Sequence, residues 1–149
     1  MSATAKILVV DDDEVVRLSH QRSLRDARCT VSAAEDGAGA LSAMEQEPAD
    51  VVLLDLRMPG LDGISVLKQL KLRWPASEVV VITGYPTLET AKEAVRLGAY
   101  DYLAKPLGPV EVINAATNAL THKRWALHEA AADQDNDANS TDTASDLAD

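Results

Sequence analysis

The chain has 149 residues, of which 46% are hydrophobic and only 3% aromatic, so its core must consist mainly of Val, Leu, Ile and Ala side chains. This length is typical of one domain that buries a core without cross-links, and the single cysteine, Cys29, excludes an intrachain disulfide. Of the formal net charge of −10, seven negative charges lie in residues 125–149, which leaves −3 for residues 1–124 and no basic surface for nucleic acid.

The sequence carries no targeting or membrane signal. Residues 1–5 have neither a basic flank nor an apolar core, which excludes a signal peptide. No apolar run is long enough to span a bilayer. We therefore expect a soluble cytoplasmic protein that has neither nucleic acid nor a membrane as a partner.

Five strands are predicted to alternate with five helices. Continuous apolar runs, of which 51–54 and 79–82 are the clearest, indicate strands that are buried on both faces. End signals such as Asp13 before the first helix and Gly98 after the fourth support the helices. This alternation predicts an α/β fold in which helices cover both faces of a parallel sheet. The predicted strands are 6–10, 30–33, 50–54, 78–82 and 100–103.

Helix faces were assigned from the spacing of the larger apolar residues. The histidines lie in predicted helices without partner carboxylates, so exposed positions are expected for them. The inner face of the first helix is predicted to contain Val15, Val16, Leu18 and Leu24, that of the last helix Val110, Ile113, Thr117 and Leu120, and the exposed histidines are His20, His122 and His128.

Chemically distinctive residues stand at the ends of four predicted strands. Asp11 and Asp12 follow the first strand, and Asp55 follows the third. Thr83 follows the fourth strand, and Lys105 lies just after the fifth. Because the carboxyl ends of parallel strands open onto one edge of the sheet, we expect these side chains to converge in one pocket.

Three neighbouring carboxylates repel one another unless some take up protons or a cation joins them. An all-oxygen cluster suits a hard divalent cation, and Mg²⁺, with Mn²⁺ as an alternative, is the usual choice where phosphate chemistry follows. A carboxylate beside such an ion can act as a nucleophile and form an acyl phosphate. The cluster therefore indicates metal-dependent phosphoryl chemistry.

Four motifs make residues 5–121 resemble the receiver domain of two-component response regulators, in a chemotaxis-regulator-like form with a short C-terminal extension. The motifs are the Asp pair at 11–12, the Asp-Leu-Arg-Met-Pro-Gly-Leu-Asp-Gly segment at 55–63, Thr83-Gly84 and Lys105-Pro106. Any one of them is weak, whereas four in the right order are highly specific. The resemblance implies a doubly wound, flavodoxin-like (βα)5 fold with the strand order 2-1-3-4-5.

The resemblance also implies the phosphoryl site. Asp55 resembles the phosphoacceptor, and Asp11 and Asp12 resemble the acidic pair that binds Mg²⁺. The metal ligands would be these three carboxylates and the backbone carbonyl of Arg57. The catalytic residues of phosphoryl transfer would be Asp55 as nucleophile, with Thr83 and Lys105.

Three further roles follow from the same resemblance. Lys105 resembles the lysine that pairs with the phosphoryl group, and the peptide before Pro106 is expected to be cis. Thr83 resembles the switch hydroxyl that moves toward the phosphoryl oxygen. Tyr102 resembles the aromatic switch residue whose ring turns inward on activation.

The implied function is that of a stand-alone, single-domain response regulator that accepts a phosphoryl group from a sensor histidine kinase or a histidine phosphotransfer protein. It would not otherwise be an enzyme, because it catalyses only its own phosphorylation and dephosphorylation. The expected output is binding to a downstream protein, which the sequence does not name, or self-association.

Two interpretations of residues 122–131 remain open. The last helix either extends through them and presents Trp125 and Leu127 to a partner or to a second copy in a homodimer, or frays at this point. Residues 132–149 are rich in Ala, Asp, Asn, Ser and Thr, a composition that predicts an acidic disordered tail.

Three alternative functions share features with this sequence. The segments 82–86 and 97–102 look much like receivers of enhancer-binding transcription activators, so the chain could be the N-terminal part of one, although its acidic end favours a natural terminus. A haloacid-dehalogenase-type phosphatase usually has a second Asp two residues after the nucleophile, where this chain has Arg57. A flavodoxin-like mononucleotide binder would need a phosphate loop after the first strand, which is lacking.

Overall fold

The computed structural model describes residues 4–57, 60 and 62–148, with side chains described as far as residue 132. Its strands and helices alternate along the chain, as the apolar runs predict. The elements are β1 Lys6–Val10, α1 Glu14–Asp26, β2 Thr30–Ala34, α2 Gly37–Gln46, β3 Val51–Leu54, α3 Gly63–Arg73, β4 Glu78–Thr83, α4 Leu88–Arg96, β5 Asp101–Ala104 and α5 Pro109–Ala148.

The five strands form one parallel sheet in the order β2-β1-β3-β4-β5. The predicted doubly wound fold and strand order are therefore confirmed. Val10 lies beside Ala34 on one side and Leu54 on the other, and Thr83 lies beside Ala104. This register brings the carboxyl ends of β1, β3, β4 and β5 to one edge, so the residues that follow them are neighbours in space.

Two apolar clusters cover the two faces of the sheet, because successive side chains of a buried strand point to opposite faces. On one face α2, α3 and α4 contribute buried side chains such as Met44, Leu67 and Ala94. On the other face α1 and α5 contribute Leu24 and Ala116 among others. Within the described residues, no helix is both long and apolar enough to cross a membrane.

The predicted inner faces of α1 and α5 were partly wrong. Val15 and Leu18 are 77% and 53% exposed, and α1 instead buries His20, Gln21 and Ser23 beside Leu24. Small side chains let a helix approach the sheet closely, and α5 does so with small residues rather than with the larger Val110, which is 69% exposed. The buried face of α5 consists of Val112, Ala115, Ala116 and Ala119.

His20 was also expected to be exposed and is only 4% exposed. It packs beside Lys105 and the Pro106 loop. The pKa of His20 is lowered, mainly because the side chain is buried. The negative charge of Asp11 raises this pKa, and the positive charge of Lys105 lowers it. His122 and His128 are exposed, as predicted.

The last helix continues to Ala148 as one helix of 40 residues. No Gly or Pro follows Pro109, so no residue with a strong helix-breaking tendency ends it. Near residue 122 it is fastened to the amino edge of the sheet, where Lys123 pairs with Asp50 at 2.6 Å and His122 lies 3.4 Å from Glu78. The structure thus places helix where composition predicts a disordered tail, and the boundaries at 121 and 131 stay predictions.

Gly63, the first residue of α3, packs against the backbone that follows Asp55. A Cβ at this position would lie 2.8 Å from the carbonyl carbon of Leu56 and still closer to its Cα. We expect Gly63→Ala to lower the free energy of unfolding by about 1–3 kcal/mol, because backbone cannot move aside as a side chain can. Urea denaturation measures the loss.

Gly84→Ala is the matched control for that substitution. A Cβ there would meet no atom closer than Lys105 Cδ at 4.0 Å, so its free energy of unfolding should change by less than about 0.5 kcal/mol. Equal stability of the two variants would contradict the close packing of α3 on Leu56.

Candidate functional site

The edge of the sheet holds the predicted site residues in place through backbone hydrogen bonds. The Asp11 N–H donates to the Ala34 carbonyl at 3.1 Å, and the Asp55 N–H donates to the Val10 carbonyl at 3.0 Å. The Lys105 N–H donates to the carbonyl of Thr83 at 2.8 Å. Each residue is therefore fixed by the strand beside its own.

Three carboxylates converge at this edge. Asp11, Asp12 and Asp55 each offer an oxygen within 4.8 Å of the others. Asp11 and Asp55 are only 2% and 4% exposed, whereas Asp12 is exposed. The site is therefore shielded from solvent at Asp11 and Asp55 and open to solvent at Asp12.

The Lys105 ammonium lies between the two buried carboxylates. Its Nζ is 2.7 Å from Asp11 Oδ2 and 3.2 Å from Asp55 Oδ2. Burial would lower the pKa of Lys105, but the hydrogen bond and charge of Asp11 and the charge of Asp55 outweigh it, so that the pKa is raised. Lys105 therefore stays charged and offsets part of the repulsion within the cluster.

The contact with Lys105 does not fully stabilise the ionised form of Asp55. Burial is the largest influence and raises the pKa of its carboxyl, and the charge of Asp11 adds to the rise. The Arg57 N–H, which donates to Asp55 Oδ1 at 3.0 Å, and Lys105 both act against it. The cluster of oxygen donors and excess negative charge fits a hard divalent cation such as Mg²⁺.

The segment after Asp55 forms one wall of the pocket. The Arg57 guanidinium lies 3.7 Å from the centre of the Tyr85 ring, and the Tyr85 N–H donates to Thr83 Oγ1 at 3.1 Å. Thr83 is 1% exposed, at the end of β4. The predicted metal ligand at the Arg57 carbonyl stays a prediction, and Met58, Pro59 and Leu61 of the predicted motif lie outside the described residues.

Tyr102 contacts the start of α4 rather than the carboxylates. Its hydroxyl lies 2.6 Å from Thr90 Oγ1 and accepts a hydrogen bond from the Thr87 N–H at 3.3 Å. Thr87 is the N-cap of α4, and its Oγ1 lies 2.7 Å from Thr90 Oγ1 and accepts from the Thr90 N–H at 3.1 Å. The predicted switch aromatic is thus joined to the first turn of a helix.

One assignment of hydroxyl protons satisfies the whole network. The Thr90 hydroxyl donates to the Thr87 carbonyl at 3.2 Å, which leaves its two lone pairs to accept from Thr87 and Tyr102. The Tyr102 hydroxyl then donates to Thr90 and accepts from the Thr87 N–H. Inward movement of the Tyr102 ring would break both of its hydrogen bonds.

The structure brings Asp11, Asp12, Asp55 and Lys105 together, and the peptide between Lys105 and Pro106 is cis, as expected. Thr87 and Thr90 were not predicted to be near the site. Thr is a preferred N-cap residue, and this preference could have identified Thr87 at the start of α4, whereas Thr90 has no such signal.

Comparisons with known proteins bear directly on this site. A model of the response regulator receiver domain matches residues 7–117. The DNA-binding transcriptional regulator NtrC of Escherichia coli K12 is 40% identical over 116 residues, which are 78% of this chain and 25% of NtrC. The chain spans about a quarter of the length of such curated relatives.

Two solved structures share the fold over most of the chain. NtrX from Brucella abortus superposes with a TM-score of 0.81 at 34% identity and is matched over 86% of this chain and 29% of its own. A CheY-like receiver domain protein from Methanospirillum hungatei JF-1 superposes with a TM-score of 0.80 at 25% identity, over 83% of this chain and 98% of its own.

The raised pKa of Asp55 predicts how stability depends on pH. A carboxyl whose pKa is raised by folding contributes stability below its unfolded pKa, and that contribution is lost as the pH rises through its folded pKa. In metal-free buffer near pH 7, Asp55→Asn should therefore be more stable than the unaltered chain. The difference should shrink as the pH falls toward about 4.

Thermal unfolding from pH 4 to pH 8 with a chelator present measures this difference. Asp62→Asn is the control, because Asp62 is an exposed carboxyl that caps α3 and Asn also serves as an N-cap. A stability gap for Asp55→Asn that stays constant or widens in acid would contradict the assignment of a burial penalty to Asp55.

Proposed function

Because this chain belongs to the response regulator receiver family, we propose that Asp55 is a phosphoacceptor that takes its phosphoryl group from a phosphohistidine. The donor would be a sensor histidine kinase or a histidine phosphotransfer protein. The observation that carries the proposal is the convergence of three carboxylates and one ammonium at one edge of the sheet. The chain would not act on any other substrate, since it would catalyse only its own phosphorylation and dephosphorylation.

In the proposed reaction an oxygen of Asp55 attacks the phosphorus, and the nitrogen–phosphorus bond of the donor breaks. The freed histidine nitrogen keeps the electron pair and then takes up a proton. Mg²⁺, or Mn²⁺, held by Asp11, Asp12, Asp55 and the Arg57 carbonyl, would neutralise charge on the phosphoryl oxygens when bound. Water later hydrolyses the acyl phosphate and restores the Asp55 carboxylate.

Lys105 and Thr83 would hold the transferred group. The ammonium that pairs with Asp11 and Asp55 at 2.7 Å and 3.2 Å can exchange the Asp55 carboxylate for a phosphoryl oxygen, because its three donors can be shared. Thr83 accepts from the Tyr85 N–H, so its own proton is available to donate to the phosphoryl group. Both contacts would be charge-assisted.

We propose that the donor docks beside the solvent-exposed side of the carboxylate cluster. Val15 and Leu18 on α1 are 77% and 53% exposed, and Val15 lines an apolar groove with Pro106 and Leu107, next to Lys105. Exposed apolar side chains around a site suit contact with another protein. We propose that the encounter takes place in the cytoplasm.

Thr83 and Tyr102 are proposed to transmit the signal. Movement of Thr83 toward the phosphoryl group would let the Tyr102 ring leave Thr87 and Thr90 and turn inward, which alters the surface of α4, β5 and α5. This is a shift between two populated arrangements. The recipient would be a downstream protein, or a second copy bound through the last helices, where Trp125 and Leu127 are 57% and 51% exposed.

A second proposal is that this receiver controls a DNA-binding activator, either as a linked domain or through contact with one. It is supported by the relatives named as transcriptional regulators, of which the chain covers about a quarter. In that case nucleic acid would be bound by the activator's other domains, and residues 1–149 would not bind DNA by themselves.

Phosphorylation by a small acyl phosphate tests the proposed function. The unaltered chain with Mg²⁺ should gain the mass of one phosphoryl group, and the gain should disappear with a chelator or in Asp55→Asn. Asp62→Asn, which removes an exposed carboxyl near the pocket, should still be phosphorylated. Modification of Asp55→Asn to the same extent would contradict the proposal.

Tyr102→Phe tests the proposed switch. The substitution keeps the ring and removes the hydroxyl that bonds to Thr87 and Thr90, so the inward arrangement should become more populated. Because the inward arrangement is proposed to be the one that accepts the phosphoryl group, phosphorylation by a small donor should be roughly two- to tenfold faster, the equivalent of about one net hydrogen bond.

Tyr100→Phe is the control for the switch, since Tyr100 packs against His122 and not against α4. Its phosphorylation rate should equal that of the unaltered chain. An unchanged or slower rate for Tyr102→Phe would remove the hydroxyl network from the proposed switch.

A further inference from the structure

We infer that Arg17 is a positioning residue for the metal site, because its guanidinium fixes the peptide that aims the Asp12 carboxylate. The inference rests on the proposed function and deepens it. Arg17 lies in α1, and its described hydrogen bonds and ion pairs include none with the carboxylates of the cluster. Its action would be exerted through the backbone of Asp11.

The contact is a single hydrogen bond from a half-buried side chain. Arg17 Nη1 donates to the Asp11 carbonyl at 2.8 Å. The backbone of Arg17 is itself held in the first turn of α1, where its N–H donates to the Asp13 carbonyl at 2.9 Å. Arg17 therefore connects the rigid part of α1 to the loop before it.

Asp11 has a partner for every polar group. Its N–H donates to Ala34, its carbonyl accepts from Arg17, and its Oδ1 accepts from the Asp13 N–H at 2.9 Å. Its Oδ2 pairs with Lys105. Within the described residues, Arg17 is the hydrogen-bond partner of the Asp11 carbonyl. The guanidinium therefore restrains the orientation of the peptide plane between Asp11 and Asp12.

Asp12 depends on that peptide plane. Its carboxylate is exposed, and the described hydrogen bonds and ion pairs include none to this side chain. The backbone therefore fixes the position of its Cβ, and in the described contacts no neighbouring donor holds the carboxylate. An exposed ligand without such support gains the most from a fixed backbone, because less conformational freedom is lost when a cation binds.

The charge of Arg17 and its position would affect cation binding in opposite directions. A guanidinium near the cluster repels Mg²⁺, so an effect through charge alone predicts tighter binding when Arg17 is removed. A positioning effect predicts weaker binding, as for residues that orient metal ligands in other proteins. Whether Mg²⁺ binds more tightly or more weakly after Arg17 is removed therefore distinguishes a charge effect from a positioning effect.

The test is calorimetric titration of Mg²⁺ into the unphosphorylated chain. Arg17→Met should weaken binding by roughly tenfold. Arg22→Met removes the same charge from an exposed position on the same helix and should change the affinity by less than about twofold, because solvent and salt screen that charge. Arg17→Lys, which keeps the charge but not the planar fork, should fall between Arg17→Met and the unaltered chain.

The outcomes separate the inference from the proposed function. Binding to the unaltered chain but equal or tighter binding to Arg17→Met would overturn the inference and leave the proposed function standing. Absence of Mg²⁺ binding to the unaltered chain would contradict the proposed function and the inference with it. If thermal unfolding shows that Arg17→Met does not fold, Arg17→Lys decides, and affinity equal to that of the unaltered chain would overturn the inference.

Discussion

The site depends on the ammonium of Lys105 between the buried carboxylates of Asp11 and Asp55, at 2.7 Å and 3.2 Å. A parallel sheet brings the ends of its strands to one edge, and here that geometry forces two carboxylates into a region where water is largely excluded. Without a cation between them, their mutual repulsion and the loss of hydration would disfavour the ionised forms. The lysine that follows β5 supplies that cation.

The single ammonium of Lys105 does not neutralise the negative charge of the carboxylate cluster. With Asp12 the cluster has three negative charges when fully ionised and one positive charge from Lys105, so its excess of two matches a divalent cation. Burial is the main reason that the pKa of Asp55 is raised, and the charge of Asp11 adds to the rise. A phosphoryl group adds roughly one and a half to two negative charges, so its arrival at Asp55 would give Lys105 a new partner and would couple the proposed chemistry to side-chain movement.

Much of this arrangement could be predicted from the sequence, because it depends on the order of strands and helices along the chain and on the residues that follow each strand. Apolar runs located the strands, and the residues at their ends located Asp55 and Lys105. The inner faces of α1 and α5 were harder, since close packing on the sheet uses Ala116 and similar small residues that hydrophobic spacing underrates. Contacts such as Thr90 with Tyr102 join different elements, and sequence spacing contains no information about such hydroxyl geometry.

Chemical marking of the phosphorylated residue decides whether Asp55 is the phosphoacceptor. Borohydride reduces an acyl phosphate to an alcohol, so reduction after treatment with Mg²⁺ and a phosphodonor, followed by peptide mass mapping, marks the acceptor. Asp55 alone should be converted to the alcohol. A mark on Asp12 or Asp11, or a phosphoryl group retained on His20 without any reducible acyl phosphate, would contradict it.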